Sequence, residues 1–196
     1  MAYEEIKNSG ITSDTPKNII FGAGTIHKGL KYTSGAWNFA ESLIGATQGG
    51  GKFTITPEYT DIEADGATVK VKGLAQKVGE SASMEVSFLE ITPDVLAMGV
   101  GGETADSTSI TGYTEIKSKA KIEEGDYIEN LGFIGKTLEG KPIIVIFDYA
   151  RCTSGVEIES KNKENATIKA TFECYQDLTE DTTVLPYHIY FPKSTT

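Results

Sequence analysis

From Lys52 to Tyr59, the apolar side chains Phe53, Ile55, Pro57 and Tyr59 alternate with Thr54, Thr56 and Glu58. That is the period of two a pleated strand imposes. After an acidic turn around Asp65 and Gly66, Ala67, Val69 and Val71 alternate with Thr68, Lys70 and Lys72 before Gly73. The pattern predicts one long β-hairpin across Leu43 to Leu74, with a glycine cluster at Gly49, Gly50 and Gly51 in its lead-in. Much polar surface lies on both of its faces, which a lone monomer has little reason to build. Pro57 lacks an N–H to donate, so it marks an edge or bulge position.

Elsewhere the alternation is spread over many short segments. Asn18 to Lys28 reads as an apolar strand interrupted by Gly22 and Gly24. Ala36 to Gly45 reads either as a helical turn or as an irregular loop burying Trp37 and Phe39. Ser81 to Ile91 alternates Met84, Val86 and Phe88 with Ser83, Glu85 and Ser87. Thr92, Pro93 and Asp94 then start a short helix with an N-cap hydroxyl, a proline in the first turn and an acid beside it. Gly99, Gly101 and Gly102 stop it. Strands follow at Ser109 to Lys121, Tyr127 to Lys136, Lys141 to Tyr149, Gly155 to Ser160, Ala166 to Tyr175 and Leu185 to Phe191. The run from Pro142 to Phe147 is apolar on both faces and is expected to be the most buried. The architecture this predicts is mostly β: two packed antiparallel sheets, a sandwich or a barrel made from them, flanked by one short α-helix.

Composition narrows the reading. The 196 residues suffice for one domain, with residues 1–17 as an N-terminal arm, 18–192 as the β domain and 193–196 as a tail. The formal net charge is −10, from 28 acidic against 18 basic residues, and Arg151 is the sole arginine. A surface that grips nucleic acid clusters arginine and lysine, and no such cluster occurs here. No basic leader precedes an apolar run and no 18-residue apolar stretch occurs, so neither a signal peptide nor a membrane span is expected. Cys152 and Cys174 are expected as free thiols in a reducing compartment.

Candidate chemistry is sparse. His27 and His188 lie far apart without neighbours at metal-ligand spacing, and no serine sits in a G-x-S-x-G turn. Neither Gly49 to Gly51 nor Gly99 to Gly102 leads into the helix, lysine and hydroxyl of a phosphate-binding loop. The acids Glu58, Asp61, Glu63 and Asp65 lack the glycine and closing glutamate of a calcium loop. They read as a solvated hairpin tip or as part of a negatively charged assembly surface, with Lys70 and Lys72 able to pair with them in the same or an adjacent subunit. No catalytic residue, metal or cofactor is expected.

The segments Leu43 to Leu74, Leu89 to Gly102 (LEITPDVLAMGVGG), Lys141 to Asp177 and Leu185 to Pro192 (LPYHIYFP) together resemble the major tail tube proteins of long-tailed, siphophage-like bacteriophages and prophages. The resemblance runs from about Asn18 to Pro192 and rests on the order and style of segments. It implies a β-sandwich or barrel with a flanking helix, six copies of which close into a ring. Stacked rings form a tube through which DNA passes without specific binding. It also implies a place in the virion tail after assembly in the bacterial host cytoplasm, with tape-measure and tail-terminator proteins as further partners. On this reading Glu58, Asp61, Glu63, Asp65, Lys70 and Lys72 form an inter-subunit or channel-facing hairpin, and Gly49, Gly50 and Gly51 an inter-ring loop. The alternative is a β-sandwich binding module of a phage tail, an adhesin or carbohydrate-binding domain, which would show exposed aromatic pairs or a calcium loop.

Overall fold

The computed structural model describes residues 10–193. Residues 1–9 of the expected arm and 194–196 of the expected tail lie outside the described residues.

A seven-stranded antiparallel sheet organises the chain, in the order β1 (Thr25–His27), β8 (Ile128–Lys136), β9 (Pro142–Cys152), β10 (Ile168–Cys174), β5 (Ala75–Phe88), β4 (Thr47–Asp61), with β11 (Tyr187–Tyr190) also on β9. The apolar alternation places the core. Ala82, Met84, Val86 and Phe88 of β5 are buried at every second position, as are Ile168, Ala170, Phe172 and Cys174 of β10. Phe88 and Phe172 meet edge to face with centroids 6.4 Å apart, a favoured arrangement of ring quadrupoles.

The run Ile143 to Phe147 is buried on both faces, as its continuous apolarity predicts. Val145 and Phe147 enter the main core, while Ile144 and Ile146 join a second cluster with Leu30 and Ile134. That outer cluster is covered by the segment from Leu30 to Ser42, which folds into a small hairpin of β2 (Tyr32–Thr33) and β3 (Ala36–Trp37) followed by the one-turn helix α2 (Phe39–Ser42). The stretch expected as helical turn or loop is therefore partly each. Asn130, at φ 49°, breaks the alternation of β8. Ile128 and Leu131, three apart, can then both face the core.

The sheet curls until its ends meet without closing. β1 pairs with β8 along one edge, and on the other the Ile44 N–H donates to the Ile26 C=O and the Lys28 N–H to the Ser42 C=O. The lead-in of β4 thus docks on β1, yet no continuous ladder joins β1 to β4. The expected mostly β architecture of antiparallel sheets flanked by a short helix is borne out, with no closed barrel: one curled, open sheet carries the core beside two small two-stranded ones. The physical reason is β9, whose two apolar faces let a single sheet serve two cores.

The helix α3 (Pro93–Val100) is capped as expected: the Thr92 hydroxyl accepts from the Val95 N–H at 3.2 Å, and Gly101 at φ 59° ends it. It packs on a separate hairpin of β6 (Gly102–Asp106) and β7 (Thr114–Ser118), so the strand expected over Ser109 to Lys121 is confined to β7. A third short helix, α1 (Thr15–Asn18), spans the end of the expected arm. Gly155 to Ser160 is not a strand and touches β10 through the single bridge Ile158 to Ile168. Asn18 to Lys28 is reduced to β1 and a bridge from Ile20 to Thr137.

Candidate functional site

The hairpin that dominated the sequence pattern is longer than its alternation suggests. β4 pairs antiparallel with β5 from Thr47 opposite Phe88 out to Asp61 opposite Ala75. The returning strand is β5, and the segment Ala67 to Gly73 expected in that role belongs to the connecting loop, closed by the Ile62 N–H donating to the Leu74 C=O. Nothing packs on the alternation there: Val69 is 76% exposed and Val71 46%. Its valines lacked a partner strand, and β5 carried the stronger apolar face.

The two halves of this hairpin differ in kind. Phe53 and Ile55, opposite Met84 and Ala82, pack against the main core. From Thr56 to Asp61 and from Ala75 to Val78 every residue is exposed, on both faces of the ribbon. Beyond Ser83, β5 pairs with β4 and no longer with β10, and the outer edge of β4 there carries no strand among the described residues. The distal half is an arm whose outer N–H and C=O groups form open ladders, the geometry that templates pairing with another chain.

The expected charged residues are gathered on this arm. Glu58 lies opposite Gly79, next to a register shift between Glu58 and Tyr59. Pro57 sits in the regular ladder opposite Glu80, on an open edge where its missing N–H costs no bond. Asp61 ends β4 and pairs with Lys70, and the hydrogen bond raises the Lys70 pKa above its ordinary value. Glu63 and Asp65 are exposed in the loop, where Gly66 adopts φ 88°. Lys72 is exposed and has no ion pair among the described residues. The structure brings Asp61 and Lys70 together and leaves the other four spread along the arm.

Gly49, Gly50 and Gly51, expected as an inter-ring loop, lie inside β4, where the register shifts between Thr47 and Gly51 and Gly51 is opposite Val86. Gly49 and Gly50 take φ of 84° and 79°, and a Cβ on Gly51 would stand 2.6 Å from the Phe133 ring. The bulge and Gly22 to Gly24 flank a cavity of about 640 Å³ floored by Phe133. Glycine is required here by left-handed backbone and close approach.

The remaining candidates fall into structural settings. His27 is 3% exposed, with Nδ1 2.9 Å from the Ser42 hydroxyl and Nε2 2.9 Å from the Thr25 hydroxyl. Since Ser42 donates to the Asn38 C=O, it accepts from Nδ1–H, and Nε2 accepts from Thr25. Burial lowers the His27 pKa below its usual value. His188 lies 3.3 Å from Asp148 at the surface. Both cysteines are buried and unbridged, and burial pushes the Cys174 thiol up to about 12. No cluster of three or more metal-ligating side chains occurs among the described residues.

One grouping was missed by the sequence reading. Tyr32 and Trp37 face each other across the β2–β3 hairpin with tilted rings, centroids 5.1 Å apart, and Tyr190 of β11 meets Trp37 edge to face at 5.7 Å. Tyr32 and Tyr190 are exposed. The tight turn at Ser34 and Gly35, both at positive φ, was the local signal for this hairpin, but the approach of Tyr190 is set by the tertiary fold.

No protein-family model and no curated protein matches the chain. Among solved structures it is similar to the tail of an empty gene transfer agent particle refined with C6 helical symmetry, at 9% identity and a TM-score of 0.42, covering 86% of this chain and 95% of that one. It is similar also to the virion of a native gene transfer agent particle, at 11% identity and a TM-score of 0.41, covering 84% and 95%. Both likenesses are loose.

Proposed function

We propose that this chain is a structural subunit of a phage-like tail, closing into six-membered rings that stack as a tube around a channel for DNA. The observation that carries this reading is the arm: the distal half of the β4–β5 hairpin, exposed on both faces and open along both edges. A ribbon of this kind contributes little to its own monomer's core and gains most by pairing with copies of itself. The resemblance of Leu43 to Leu74 and of the later segments to tail tube subunits supports the same reading, and supplies the ring number and the tape-measure and terminator partners. A net charge of −10 per copy suits a wall that DNA passes without sticking.

Sedimentation velocity and negative-stain microscopy of the concentrated full chain test the proposal. Rings or tubes of uniform width are expected. A strict monomer at every concentration overturns it.

A second reading, a carbohydrate-binding module of a tail, is favoured by the exposed Tyr32 and Tyr190 rings on either side of the half-buried Trp37, since clustered aromatics suit the apolar faces of sugar rings. Glycan-array binding by a monomer that never assembles would select it.

A further inference from the structure

A groove of about 840 Å³ lies between the end of β9, the start of β8 and the chain that follows β10, and Tyr127, Tyr149 and Tyr175 line it. Glu129 stands opposite Tyr149 across β8 and β9, and the Tyr175 N–H donates to the Tyr149 C=O at 2.9 Å, so the backbone itself spaces these residues. Tyr127 and Tyr175 meet edge to face at 5.4 Å, and the Arg151 guanidinium lies 5.3 Å from the Tyr175 ring centroid and donates to its hydroxyl at 3.0 Å. Two of the three rings are thus held in place by their neighbours, which lowers the ordering cost of binding against them.

The charge around the rings is negative and spread out. Glu124 and Glu129 line the groove from the β8 side and Asp177 from the β10 side, against the ammonium of Lys28. A smaller hollow of about 360 Å³ shares Glu129, Tyr149 and Gln176 with the groove and adds Asp148 and Glu180, so the two form one acidic trough. Asp148 has His188 beside it, whereas Glu124, Glu129, Asp177 and Glu180 make no ion pair among the described residues. Thr179 donates both its N–H and its hydroxyl to Asp177, which keeps that carboxyl ionised below its usual range. Desolvation and then the negative charges of Asp177, Glu129, Asp148 and Glu180 raise the Tyr149 pKa, so the field over the groove is negative.

Aromatic rings set between separated, uncompensated carboxylates suit a cation whose charge is divided along an apolar chain. Its methylene groups lie on the rings, and its ammonium groups meet ring faces and carboxylates. A hard divalent metal instead needs several oxygens converging on one point, and no group of three or more metal-ligating side chains occurs among the described residues. We infer that the groove of Tyr127, Tyr149 and Tyr175 is a binding site for an aliphatic polyamine, with Glu129 and Asp177 receiving its ammonium groups from opposite walls. The site belongs to each copy by itself and does not depend on the assembly reading above.

Titration calorimetry of the full chain with spermidine at low salt tests it. Saturable binding of one spermidine per chain is expected. Glu129→Gln is expected to weaken it about tenfold, whereas Glu157→Gln, the same charge change at an exposed carboxylate outside the trough, leaves the affinity within about twofold. Nuclear Overhauser contacts from the spermidine methylenes to tyrosine rings, lost in Tyr149→Leu, are expected to place the ligand. Heat that never saturates, or equal weakening by the two glutamine variants, would reduce the attraction to net charge and overturn the inference. Displacement of spermidine by an equal concentration of magnesium overturns it as well, as does binding of a trilysine peptide where spermidine fails.

Discussion

His27 shows how much a single side chain carries when it is placed at a seam. Its ring is shut in with the hydroxyls of Thr25 and Ser42 and lies 6.1 Å from the Phe39 ring, at the point where β1 receives the lead-in of β4. Burial favours the neutral imidazole in the folded state, so its folded pKa lies below that of the unfolded chain. The unfolded state therefore binds more protons as pH falls below about 6.5, and folding stability declines from there downward. Urea denaturation midpoints measured from pH 8 to pH 5 are expected to fall below about pH 6.5, and His27→Gln to flatten that slope. An unchanged slope in the variant would show that the seam does not titrate. The carboxylates held low by hydrogen bonds, Asp126, Asp177 and Asp181, titrate in a lower range, so the two losses separate on the pH axis.

Among the elements, the hairpin divides its labour. The proximal half, with Phe53 and Ile55 on the core, belongs to the fold. The distal half and its loop bury no residue, so removing them subtracts little from stability. Replacing Ile62 to Leu74 by Asn-Gly joins Asp61 to Ala75 with a two-residue turn suited to a hairpin. This variant is expected to keep its thermal unfolding within about 1 kcal/mol of the parent and to fail to polymerise. Calorimetry checks the first outcome and sedimentation the second. Unimpaired assembly would remove the loop from the interface.

For the whole molecule, charge governs how copies meet. With −10 on each copy, long-range repulsion opposes encounter, and it is screened beyond about 10 Å at 0.1 M salt. Assembly followed by light scattering is therefore expected to quicken as salt rises from about 0.01 to 0.15 M. A steady decline over that range would mean that exposed ion pairs, not contact area, hold the copies together.

Periodicity alone determined the mostly β character, the capped helix at Thr92, the doubly buried run of β9 and the presence of a polar hairpin arm, because each depends on neighbours within a few residues. The tip's acids and lysines were legible for the same reason. Tertiary structure decided which strand returns from that tip. Ala67 to Val71 and Ala75 to Phe88 both alternate, and only the second finds β10 and the core to bury its apolar face. It also decided that the Gly49 to Gly51 bulge lies against Phe133 and that Tyr127, Tyr149 and Tyr175 share one groove. Residues far apart in sequence meet there, and no local period encodes that meeting.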